Sequence, residues 1–89
     1  MRAVITVVGK DAVGILAKVS TKCSQHQINV IEVSQSIVQE MFAMIMMVDI
    51  SNSNIPFTQL VDDLMEMGQA NNLVIHCMHE DIFNAMHTI

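Results

Sequence analysis

The hydrophobic residues of this chain switch between two periods, and that switching limits the fold more than any other feature. Residues 1–8 (Met1-Arg2-Ala3-Val4-Ile5-Thr6-Val7-Val8) are a β-branched run with apolar side chains on both faces, which reads as a strand. After the break at Gly9-Lys10-Asp11-Ala12-Val13-Gly14, the period becomes helical. A helix is expected from about Gly14 to Gln25, with Ile15, Leu16, Val19 and Cys23 on one face and Lys18 and Lys22 opposite. It ends near His26-Gln27, and a strand runs from Ile28 to Ser36 or Val38. Gln39-Glu40 reads as a tight turn, without the usual Asn-Gly signal, before a third strand from Met41 to Ile50. Ser51-Asn52-Ser53-Asn54 is a polar loop, and Pro56 suits the first turn of a second helix. That helix carries the stripe Phe57, Leu60, Val61, Leu64 and Met67 and stops at Gly68 or Asn71-Asn72. Leu73 to Met78 is a fourth strand, and Glu80 to Ile89 is a short tail with Ile82, Phe83 and Met86 on one side.

The order βαββαβ predicts an α+β fold, the ferredoxin-like plait: a four-stranded antiparallel sheet with two helices on one face, plus a short C-terminal tail. With 89 residues and no internal linker, residues 1–89 are expected to form a single domain. Two helices cover only one face of such a sheet. Yet the first and third strands also put Val4, Val8, and either Met44, Met46 and Val48 or Met41, Ile45 and Met47 on the other. A sheet open to water on one side alternates apolar with polar, so the tail or another subunit must cover this face. A homo-oligomer is the expectation.

Composition narrows the function. Arg2, Lys10, Lys18 and Lys22 lie in the first 22 residues with Asp11 as the one acid there, giving +3; residues 23–89 carry eight acids and no Lys or Arg, and the whole chain is −5. That balance repels a phosphate backbone, and with three Phe, no Trp and no Tyr there is no base-stacking platform, so direct nucleic-acid binding is not expected. No apolar run reaches the roughly 18 residues needed for a membrane span, and the first eight residues lack a signal-peptide cleavage pattern. Cys23 and Cys77 make no disulfide framework, so a cytoplasmic protein with reduced thiols is expected.

Gly9 to Gly14 has the spacing of a phosphate loop, but Ile15 and Leu16 stand where Lys and Ser/Thr would grip phosphate and magnesium. Two readings remain. The glycines permit a sharp strand-to-helix turn, or they let a carboxylate approach the N–H groups that open the helix. His76-Cys77-Met78-His79 invites a metal, but on a strand His76 and His79 face opposite ways and the spacing fits no standard zinc motif. The methionines from Met41 to Met47 could suggest Cu(I), although adaptable packing is the simpler use. No metal, no cofactor and no catalytic set is expected, because no nucleophile–base pair is evident and the histidines (26, 76, 79, 87) lie away from the glycine loop.

Val8-Gly9-Lys10-Asp11-Ala12-Val13-Gly14-Ile15-Leu16, with Ile28-Asn29-Val30 a dozen residues later, resembles the ACT domain, the small regulatory module of amino-acid metabolism. Val33-Ser34-Gln35-Ser36 and Met44-Ile45-Met46-Met47-Val48-Asp49 are similar to a narrower group, related to the glycine cleavage system repressor. The resemblance implies an amino-acid site between the first loop and the start of the second strand, at a subunit interface. Asp11, Gly14 and Ile15 would line one side, with Asn29 and Val30 on the other, and the signal would pass to a regulated protein partner. Where the family pattern has glycine before the Ile-Asn-Val run, this chain has Gln27, which in a left-handed conformation costs roughly 1–2 kcal/mol. A ligand-free interaction module and a small plait enzyme are the competing readings.

Overall fold

A computed structural model describes residues 1–10 and 14–86 of the chain. The elements follow the order β1 (Arg2–Gly9), α1 (Ile15–Gln25), β2 (Asn29–Val38), β3 (Met41–Asp49), α2 (Phe57–Ala70), β4 (Val74–His79) and α3 (Glu80–Met86). The sheet order is β2-β3-β1-β4, and each neighbouring pair is antiparallel. This is the expected βαββαβ plait, with β1 and β3 inside and β2 and β4 at the edges.

Register decides which methionines face the helices. Ile5 lies opposite Met46 and Cys77, and Val7 opposite Met44 and Ile75. Ala3, Ile5, Val7, Met44, Met46, Val48, Ile75 and Cys77 therefore share one core with Ile15, Val19 and Cys23 of α1 and Leu60 and Leu64 of α2. The other face takes Met41, Ile45 and Met47 together with Val4 and Val8. Leu16, expected in the buried stripe of α1, lies at its margin and stays partly exposed.

The open face is covered in part. Val4 is fully buried, and α3 packs on β1 and β4, the strands that carry Val4 and Met78. Val8, Ile45 and Val74 on the same face remain 42%, 42% and 56% exposed. The tail thus shields one end of the sheet and leaves an apolar surface at the other.

Among the described residues, three turns carry left-handed residues other than glycine. Gln39 (φ 51°) and Glu40 (φ 70°) make the two-residue β2–β3 hairpin, since both central positions of a primed turn need positive φ. Gln27 (φ 58°) and Asn72 (φ 57°) end the two long helices in the same way. After α1, the Ile28 N–H bonds the Cys23 carbonyl (2.8 Å) and the Gln27 N–H that of Ser24 (3.2 Å). After α2, Leu73 bonds Gly68 (2.8 Å) and Asn72 bonds Gln69 (3.4 Å). Both are Schellman motifs, which satisfy the last carbonyls of a helix at the cost of one left-handed residue. α2 does not stop at Gly68: it runs on to Ala70, and Gly68 is the point where it meets the chain entering β4.

The lysines of α1 are not simply solvated. Lys22 Nζ lies 3.0 Å from Asp63 Oδ2, and Lys18 Nζ donates to Asn71 Oδ1 at 2.6 Å, so both tie α1 to α2. Asn54, before α2, bonds His26 and the Gln25 carbonyl, which anchors the end of α1.

Candidate functional site

Gly14 immediately precedes α1 in a left-handed conformation (φ 74°, ψ 2°). A Cβ there would meet nothing within 4 Å, so the position is held to glycine by its backbone angle rather than by crowding. Its carbonyl accepts the Lys18 N–H (3.1 Å), and Gly14 has no side chain of its own to cap the helix start. The helix dipole favours an anion near the first N–H groups of α1. Ile15 is buried in the core, so it offers a ligand its backbone only. Asp11 lies outside the described residues.

Asn29 begins β2 opposite Asp49, beside the end of the sheet where β1 starts. It is exposed, and with Val30 it lines a surface hollow of about 470 Å³ whose other walls are Ser20, Ser24, Gln27 and Ile28. The carboxamides of Gln27 and Asn29 make no hydrogen bond to another described residue. The two serines escape a motif search because they belong to no signature. Gln27, singled out in the sequence because it replaces the family's glycine, does take the left-handed conformation.

One chain does not bring the expected residues together. Gly14 and Ile15 stand at the start of α1, while Asn29 and Val30 follow its end. The 11 residues of α1 separate the two groups by about 16 Å of helix. A bulge between Val30 and Glu32 adds Ile31 to β2, so that Val30 and Val33 both pack towards the core and Ile31 is left exposed at the sheet edge.

The remaining candidates resolve plainly. Cys77 and His79 lie on the helix side of β4, His76 and Met78 on the other, and His79 stacks on Phe57 with ring centroids 4.1 Å apart. Among the described residues no group of three His, Cys, Asp or Glu side chains could hold a metal ion. Cys23 and Cys77 are free and buried, and burial pushes their thiols up to about 11 and about 12, far from the thiolate that nucleophilic chemistry needs. A larger hollow, about 590 Å³, lies by Met1, Arg2, His79 and Glu80, where the Arg2–Glu80 pair (3.4 Å) neutralises itself.

The ACT-domain sequence profile matches residues 2–78. The chain belongs to the ACT-domain family. It is 47% identical to a UPF0237 protein of Clostridium perfringens over the whole of both chains. It superposes on an ACT domain protein from Streptococcus pneumoniae with a TM-score of 0.81 at 39% identity, covering 98% of each chain. A putative glycine cleavage system transcriptional repressor is similar over 85% of this chain and 43% of its own, with a TM-score of 0.69 at 27% identity. ACT domains are in general small-molecule-binding regulatory domains that often oligomerise. The resemblance read from the Val8–Leu16 and Ile28–Val30 segments is thus confirmed at the level of family and fold.

Proposed function

We propose that this ACT domain is a cytoplasmic, non-catalytic sensor that binds an amino acid between two copies of the chain and reports through its association with a regulated protein. The observation that carries this reading is the separation of the two half-sites across α1 in a molecule whose long edge strand, β2, has a free side. Antiparallel pairing of β2 with β2 of a second copy about a two-fold axis would set the Asn29 end of one chain beside the α1 start of the other. Gly14 and Ile15 would then offer backbone N–H groups to the carboxylate, and Asn29, with Asp11, would take the ammonium while Val30 flanks it. The part-exposed Val8, Ile45 and Val74 supply a further reason to associate, because monomers rarely leave a broad apolar patch in water. Among the described residues, no helix is long and apolar enough to cross a membrane.

Thermal-shift screening against the common L-amino acids, with light scattering on the same samples, tests the reading. A ligand at 100 times its dissociation constant adds about 2.7 kcal/mol to the folded state. The expected result is a dimer or larger with a raised melting temperature for a few amino acids. A monomer at micromolar concentration that no amino acid stabilises would reject the sensor and leave an interaction module.

A further inference from the structure

Gln27 occupies a position where glycine would be free of strain. Its φ of 58° is left-handed, it is exposed, and nothing in the packing of α1 calls for its side chain. What it does line is the hollow, which it shares with Asn29, Ser20 and Ser24. Residues held in unfavourable backbone regions concentrate where function over-determines them. Among the described residues the hollow is lined by two carboxamides, two hydroxyls, Ile28 and Val30, and by no charged side chain. Of the charges around it, Lys22 pairs with Asp63, and Asp49, opposite Asn29 in the sheet, pairs with the N-terminal ammonium. A charged group entering there would lose water without gaining a counter-ion, and a purely aliphatic one would leave two carboxamides unpaired.

We propose that Gln27 is a specificity-determining residue that hydrogen-bonds the side chain of the bound amino acid, and that the site takes amino acids with a neutral amide or hydroxyl side chain. This rests on the amino-acid sensor reading above. A carboxamide both donates and accepts, so Gln27 and Asn29 together match an amide or a hydroxyl in either sense.

The test uses L-asparagine, L-glutamine, L-serine and L-leucine as probes on the full chain, with Gln27→Gly and Gln27→Asn beside the wild type. Binding is read by titration calorimetry and folding by thermal melting. Gln27→Gly is expected to melt higher than wild type without ligand, and to bind the amide or hydroxyl probes roughly three- to tenfold more weakly, the loss typical of one hydrogen bond. Gln27→Asn keeps a carboxamide and tolerates the left-handed backbone, so its loss should be smaller. The proposal is overturned if Gln27→Gly binds the polar probes as tightly as wild type, or if wild type prefers L-leucine. If wild type binds no amino acid at all, the sensor reading falls first and takes this proposal with it.

Discussion

The two long helices end in the same backbone motif, yet the two ends are used differently. After α2 the end is closed. Asn71 Nδ2 donates to the Met67 carbonyl (2.7 Å), its Oδ1 accepts from Lys18 (2.6 Å), and Gly68 lets the helix lie directly on the chain of Leu73 and Ile75. After α1, Asn54 ties His26 and the Gln25 carbonyl, but the side chains just beyond stay untied. Gln27 and Asn29 carry carboxamides with no partner among the described residues, and both line a surface hollow. Satisfied amides stabilise the fold, whereas unsatisfied ones at a fixed position are available to a ligand. On the function proposed above, one motif serves architecture in the second half of the chain and presentation in the first.

The difference is most easily broken at Gly68. A Cβ there would come within 2.8 Å of the Leu73 carbonyl oxygen and 3.2 Å of the Ile75 nitrogen, both backbone atoms that cannot step aside. Gly68→Val should lower stability by about 2–3 kcal/mol, a fall of roughly 10 °C or more in melting temperature for a domain of this size. Denaturant unfolding that left Gly68→Val level with wild type would show that the α2 end is not closed.

Next comes the pair Asn71→Ala and Asn29→Ala. The first removes a bond to the Met67 carbonyl and strands Lys18, and should cost roughly 1–2 kcal/mol. The second should change stability by less than about 0.5 kcal/mol, as exposed positions usually do, while weakening amino-acid binding. Equal losses of stability in urea melts would erase the contrast between a tied and a free amide.

A smaller effect of opposite sign is expected at the left-handed residues. Gln27→Gly should gain about 1 kcal/mol, and Asn72→Gly only a few tenths, because Asn already tolerates this backbone. A Gln27→Gly protein less stable than wild type would mean that the Gln27 side chain supports the fold.

The smallest effect concerns the tie between the helices. Hydrogen bonds from Lys22 and then from Gln59 hold the Asp63 carboxyl below its ordinary range. A carboxyl depressed in the folded state stabilises above its unfolded value of about 4, and that contribution is lost as pH falls through the folded value. Acid unfolding of Asp63→Asn should accordingly show a shallower loss of stability below about pH 4 than wild type does. An unchanged acid limb would mean that the Lys22 contact is not maintained in solution.

Much of this architecture was legible in the residues themselves. The β-branched run of β1 and the stripes Ile15-Val19-Cys23 and Leu60-Leu64 fixed element type and order, because burial on one side imposes a period. What periodicity could not give was register. The methionines of β3 are apolar at both odd and even positions, so the pattern left open whether Met44 and Met46 or Ile45 and Met47 face the helices. Pairing with β1 settles it. The bulge at Ile31 was likewise invisible, since Val30, Ile31 and Val33 are all apolar and the pattern does not say which of them turns away from the core. For the site, Gly14 and Asn29 were readable from their motif, but their separation across α1 was not. The Ser20, Ser24 and Gln27 walls emerge only when the helix end is laid against the start of β2.

The central claim is that the α1 end, and not the α2 end, meets the ligand. Titrating isotopically labelled protein with L-asparagine and L-glutamine, and following backbone and carboxamide resonances together, tests it most directly. The account predicts shifts at Gly14 and Ile15, at the Gln27 and Asn29 side chains and at Ser24 and Val30, with Asn71, Asn72 and Leu73 unmoved. Shifts centred on Asn71 to Leu73, or none anywhere at millimolar ligand, would contradict it.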